Sequence, residues 1–248
     1  MTIQKMPDKF LPLFGHLEEL RKKLISCAVA WAIGTMVAWN FKDRLFEFFV
    51  RPVGQLVFLT PTGAFTMYLK LAAMAGLVLA MPAIVWYVWS FAAPALKETE
   101  FKMFLKYGLA SFGLFCAGVV AGWLLVNPSV IYLMDFQSPM LVPMITVEAY
   151  SSFVVMLVVG CGVIFELPLI FLWLSHLGLV SSYWLIEQWR FAVLGSVVAA
   201  GVVTPTVDPV MQVIVALPIL VLYTVSVACV RMGENRRARS MMMTSEAS

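Results

Sequence analysis

The amino-acid sequence predicts an all-α membrane protein of six transmembrane helices, several of them proline-kinked, with both termini cytoplasmic. Three observations predict it. Of 248 residues, 62% are hydrophobic and 12% charged, with a mean hydropathy of +0.91. Six apolar stretches reach or approach the length that crosses a bilayer. The basic residues sort to one set of alternate connections.

A soluble domain carries about 25% charged residues. This chain holds half of that, too few polar groups to cover a water-facing surface. Its hydrophobicity excludes a disordered chain. The four cysteines, Cys27, Cys116, Cys161 and Cys229, lie in apolar runs without a C-x-x-C pair and read as small buried hydrophobes. His16 and His176 are too few for a histidine-built metal site. No H-E-x-x-H, G-x-S-x-G or phosphate loop occurs, so an enzyme is not expected, and no cofactor. A net charge of +3 on a membrane chain reports topology rather than nucleic-acid binding.

A helix needs about 20 apolar residues to cross roughly 30 Å of hydrocarbon. The first stretch covers residues 24–41. The second, 65–93, contains Pro82, and the third covers 104–126. The fourth, 150–179, contains Pro168 and is long enough to require tilt or bending. The fifth, 191–203, is short. The sixth, 210–230, contains Pro218. Each internal proline predicts a kink, tolerated in lipid where neighbours satisfy the freed backbone.

Connections alternate between the two faces. One face receives Lys5, Lys9, Arg21, Lys22 and Lys23, then Lys97, Lys102 and Lys106, then Arg190, then Arg231, Arg236, Arg237 and Arg239. The other receives Lys42, Arg44 and Arg51, with none in 127–148. Thirteen against three places both termini in the cytoplasm by the positive-inside rule. The first apolar run passes Trp39 without a small-residue cleavage site, so it reads as an uncleaved span. The expectation is one integral membrane domain over 1–248. Residues 1–23 form an amphipathic cytoplasmic segment and 231–248 a cytoplasmic tail.

Scarcity makes each charge informative. Around Phe14–Leu24, Leu13, Leu17, Leu20 and Leu24 form one helical stripe, and Glu18–Lys22 and Glu19–Lys23 are i, i+4 pairs. The segment reads as a short interfacial helix with solvated charges, or as a docking surface where a carboxylate meets a cation. Phe91 and Pro94 close the second span, and Glu98 and Glu100 follow on the same face. Two separated carboxylates suit two guanidinium groups, since each accepts a bidentate pair. Glu166 sits inside the fourth stretch. A carboxyl at that depth costs several kcal/mol unless protonated, paired or wetted, on the order of 3 at least. It is either hydrogen-bonded glue between helices or a functional acid serving a polar concavity, a proton-linked step or a partner helix. Asp208 is placed to cap the sixth helix with Pro209 at its first position, and Gln212 follows one turn later. Lys70 is expected to snorkel to the nearby surface, and residues 43–64 to cap one face at the interface.

These motifs occur in order: His16-Leu-Glu-Glu19-Leu-Arg21, Pro52, Phe91-x-x-Pro94-Ala95-Leu96 with Glu100, Phe165-Glu166-x-Pro168, and Thr204-Pro205-x-x-Asp208 with Gln212. Together with six spans, the chain resembles the TatC family, the multi-spanning subunit of the twin-arginine protein translocase. The resemblance implies a receptor for paired-arginine signal peptides of folded precursors, working with TatA-like and TatB-like single-span partners. It implies an oligomeric complex in a bacterial-type cytoplasmic (inner) membrane, driven by the proton-motive force. It assigns signal-peptide recognition to Glu19, Arg21, Phe91 and Glu100. Glu166 becomes the intramembrane acid near docked partner spans, and Asp208 and Gln212 the outer turn. The alternative is a proton-coupled small-solute transporter using Glu166.

Overall fold

The structure is a computed structural model that describes residues 11–92, 101–135, 144–204 and 208–246. Among these residues the regular elements are all helices, with no strand beyond a single Val57–Thr146 bridge. The helices are α1 (Leu11–Trp39), α2 (Lys42–Val50), α3 (Gly63–Ala92), α4 (Phe101–Met134), α5 (Val147–Ile164), α6 (Leu167–His176), α7 (Ser182–Glu187), α8 (Trp189–Val203) and α9 (Pro209–Glu246). Four apolar segments are long enough to cross a membrane: Gly63–Phe91, Tyr107–Met134, Val147–His176 and Pro209–Asn235. α1 and α2 together supply a fifth if counted as one span, bent by 81° at Asn40–Phe41. α8 is a shorter apolar helix of 15 residues.

By packing, the chain falls into two units: 1–43 with 72–112, and 44–71 with 113–248. In the first, α1 meets the second half of α3. A Cβ added at Gly34 would lie 2.4 Å from the Gly76 carbonyl, and one added at Gly76 would lie 2.4 Å from the Thr35 nitrogen. Only glycine lets the backbones approach so closely, which is how helices gain dispersion contact where lipid removes the hydrophobic drive. The Trp31 indole N–H donates to the Ala73 carbonyl at 2.8 Å. Tyr107, near the start of α4, stacks on Trp89 of α3 at 5.5 Å.

In the second unit, α4 packs on α5 through Gly118 and Gly122. Added Cβ atoms there would meet the Cys161 carbonyl at 2.6 Å and the Val158 Cα at 2.8 Å. α6, α7 and α8 all pack against α9, and α8 also against α5. Phe49 of α2 is buried edge-on against Tyr150, whose hydroxyl donates to the Phe49 carbonyl at 3.0 Å. Hydroxyls inside the helices bond their own preceding turn, as with Ser129 to Leu125 O, Thr204 to Ala200 O and Ser226 to Leu222 O. This leaves few polar groups for the neighbours to satisfy.

Three expectations are corrected. The charged N-terminal segment is not a separate interfacial helix, because α1 runs unbroken from Leu11 to Trp39. Nothing between Lys23 and Leu24 breaks a helix, so the charged turns continue the span. The third span does not stop at residue 126. α4 continues through Pro128 to Met134, because Val126, Ser129 and Val130 are buried and outweigh the lost proline N–H. The tail continues α9 to Glu246 rather than leaving it at residue 230. The fourth stretch divides into α5 and α6 at Phe165–Glu166.

Candidate functional site

Glu19 and Arg21 lie on the N-terminal turns of α1, Glu19 half-buried and Arg21 exposed. The neighbouring Glu18 pairs with Lys22 at 2.8 Å, both side chains mostly solvated. This ammonium holds the Glu18 carboxyl below its ordinary value, mainly through the hydrogen bond and then through charge. Water screens such an exposed pair, so it contributes little to stability. Phe91 is half-buried at the end of α3. α1 and residues 72–92 of α3 belong to the first unit and approach at Gly34–Gly76. Glu19 lies 15 residues before Gly34, and Phe91 lies 15 residues after Gly76. At 1.5 Å per residue each stands about 22 Å along its helix from the close approach. Glu100, with Pro94, Ala95, Leu96 and Glu98, lies outside the described residues.

Glu166 occupies the break between α5 and α6. Pro168 explains the break. It cannot donate to the Ile164 carbonyl four residues back, and its ring crowds that carbonyl. α5 ends at Ile164 accordingly. The Glu166 carbonyl accepts from Leu169 N and Ile170 N at 3.0 Å each, starting α6. Its side chain makes no cap bond to that helix and is half-buried, with Oε1 buried. The acid is therefore held at the discontinuity of a strongly apolar segment rather than on a regular turn.

Asp208 caps α9. Its Oδ2 accepts from Met211 N at 2.9 Å, and its carbonyl accepts from Gln212 N at 3.1 Å. Tyr132 on α4 lies near the same carboxylate. Gln212 donates through Nε2 to the Val197 carbonyl at 2.9 Å, a tie between α9 and α8. Gly201 makes room for it, since a Cβ there would sit 3.0 Å from Nε2. Asp208 thus caps α9, and Gln212 fastens α9 to α8, within the second unit.

Two polar groupings were missed by the sequence reading. Lys70 does not merely snorkel: its Nζ donates to Ser152 Oγ at 2.7 Å, and Ser152 donates to the Glu148 carbonyl at 2.8 Å. Thr60 Oγ1 donates to Glu148 Oε1 at 2.7 Å, beside the Val57–Thr146 bridge. The loop after α2 is thereby tied to α3 and α5. At the opposite end of α9, the Glu234 carboxylate accepts from Ser182 N at 3.0 Å and from Ser182 Oγ. It neutralises the first turn of α7. Neither is legible locally, because the partners lie 52 to 88 residues apart.

The folded chain is a polytopic helical membrane protein whose polar side chains cluster at helix ends and at one broken span. Its relatives transport proteins. The family model described as Sec-independent protein translocase protein (TatC) matches residues 15–218, and the chain belongs to the TatC family. It is similar to the TatC of Carboxydothermus hydrogenoformans, 37% identical over 90% of this chain and 93% of that protein. The TatCd of Bacillus subtilis is 31% identical over 94% and 97%. The chloroplastic TATC of Pisum sativum is 33% identical over 87% of this chain and 63% of that protein. Among solved structures, a crystal structure of the twin arginine translocase receptor TatC matches with a TM-score of 0.79. It is 28% identical and covers 88% of this chain and 99% of that one.

Proposed function

We propose that this chain is the receptor and core subunit of twin-arginine translocation, binding the paired-arginine signal peptides of folded precursors. The observation that carries the reading is the family match over 15–218, which takes in every motif residue named above. The solved relative, described as a twin arginine translocase receptor, supports it. The chain then acts as one integral domain of six spans, α1, α3, α4, α5–α6, α8 and α9, in a bacterial-type cytoplasmic membrane. Both termini face the cytoplasm, as the thirteen-to-three sorting of basic residues favours.

Successive spans alternate in direction, so α1 and α3 run oppositely. The equal 15-residue offsets from Gly34 and Gly76 then bring Glu19 and Phe91 to the same depth on the cytoplasmic side. Glu19 and Glu100 each accept one guanidinium of the arginine pair, and Phe91 packs the apolar residue beside it. Arg21 orients the acidic turn. Glu166 meets partner spans of TatA-like and TatB-like subunits in an oligomeric complex, and the proton-motive force drives export. The chain supplies recognition and assembly rather than catalysis.

The test is photo-crosslinking of a twin-arginine signal peptide to the full-length protein in membranes. Glu19→Ala combined with Glu100→Ala should reduce crosslinking about tenfold or more, as expected for losing charge-assisted bonds. Undiminished crosslinking overturns the site.

A further inference from the structure

The second unit carries a hollow of about 520 Å³ that nothing in the preceding function uses. That volume falls in the range of small-molecule sites, roughly 300–1,000 Å³. Its walls come from Phe48 and Arg51 at the end of α2, and from Trp123, Leu124, Asn127 and Pro128 on α4. The walls are graded. Phe48 stacks on Trp123 with ring centroids 4.4 Å apart, and the Arg51 guanidinium lies 5.9 Å over the Phe48 ring. Arg51 is exposed, and no carboxylate stands within ion-pair distance of it among the described residues. An aromatic shelf holds its stem while the cation remains available.

The other wall offers complementary groups. Asn127 is exposed and presents an amide. Pro128 has no N–H, so the Leu124 carbonyl loses its ordinary helical donor and can accept from a ligand hydroxyl. From the hollow, α4 continues as an exposed apolar ridge through Leu124 (68%) and Val120 (57%). A cation, an amide and a spare carbonyl thus sit at the head of a lipid-facing strip.

We propose that this hollow binds an anionic phospholipid with a hydroxylated headgroup, of the phosphatidylglycerol type. The guanidinium of Arg51 takes the phosphate, which its planar fork matches bidentately. The Asn127 amide and the Leu124 carbonyl take headgroup hydroxyls. One acyl chain lies along Leu124 and Val120. A free anion would use the arginine but leave the ridge bare, and a zwitterionic lipid would bring its own cation against Arg51. The bound lipid pins the end of α2 to α4 at the interface, where interfacial segments rely on such paired apolar and electrostatic attraction.

The test uses the full-length protein in detergent, titrated with phosphatidylglycerol, with phosphatidylcholine of the same chains, or with glycerol phosphate. Lipid retention is read by native mass spectrometry. Phosphatidylglycerol should bind about fivefold more tightly than phosphatidylcholine, the factor one cation supplies near an anionic lipid. Arg51→Gln should erase that preference, and Arg44→Gln, an exposed cation on the same helix, should keep it. Asn127→Leu alters the opposite wall without touching the arginine and should weaken phosphatidylglycerol by about threefold. Equal preference in wild type and Arg51→Gln overturns the proposal. So does glycerol phosphate competing as strongly as the lipid, which would mark an anion site without a chain.

Discussion

Asp208 closes the start of a helix with both of its acceptors. Oδ2 accepts from the Met211 N–H at the start of α9, and the Asp208 carbonyl accepts from Gln212 N. Asp208→Ala should cost about 1 kcal/mol, the usual worth of a lost N-cap, with Asp208→Asn keeping most of it. Thermal unfolding in detergent measures the difference, and equal melting of the two variants would contradict the cap. Glu166 makes a different demand. If its acid serves assembly rather than folding, Glu166→Gln should retain the fold, while Glu166→Ala should weaken partner or precursor complexes on a native gel. An unchanged complex in the alanine variant would refute this. Asp208 was legible because capping is local: a short acid before proline at a helix start has one plain use. Glu166 was legible as unusual but not as placed. Its position at the α5–α6 break follows from Pro168, two residues on, yet the burial of Oε1 depends on tertiary packing.

On the element scale, α4 offers an internal experiment in glycine. Gly113 has open space where a side chain would begin, whereas a Cβ at Gly122 would strike the Val158 backbone. Gly113→Ala should therefore be neutral or stabilise by up to about 1 kcal/mol. Gly122→Leu should destabilise by about 1–3 kcal/mol through overpacking. Unfolding in a denaturing detergent series compares them, and similar behaviour of the two would argue against the close α4–α5 contact. The Gly118-x-x-x-Gly122 spacing was present in the sequence as a small-residue motif and could have placed this contact. The spans of α3 and α8 were readable because apolar runs there end at breakers or charges. The ends of α4 and α9 were not. Asn127-Pro128 reads as a stop, but buried Val126 and Val130 carry the helix past it. The Glu148 and Lys70 network escaped for another reason: its order along the chain carries no periodicity, and only folding brings Thr60, Lys70 and Ser152 to the start of α5.

For the whole molecule, the basic sorting makes a topological forecast. A fluorescent protein fused after Ser248 should fluoresce in the cytoplasm, and alkaline phosphatase fused near residue 140 should be active outside it. Inverted signals would overturn the orientation. Neutralising Arg231, Arg236, Arg237 and Arg239 together should leave transport nearly unchanged if they serve orientation alone, and a large transport defect would show another role. The fold class was legible at this scale because 12% charge leaves no other class open. The division into two packing units was not, since both α3 and α4 contribute residues to each unit and no composition change marks the boundary.

If α8 crosses the bilayer as proposed above, its brevity carries an electrical consequence. Fifteen helical residues rise about 22 Å, against a hydrocarbon core of roughly 30 Å. Lipid that matches α8 must thin beside it. A fixed voltage then falls over about three quarters of the usual distance, so the local field is higher by roughly a third. Charges moving beside α8 would meet a steeper potential gradient than anywhere along α3 or α4. As a span, α8 would thus be where an energised membrane does the most work per ångström.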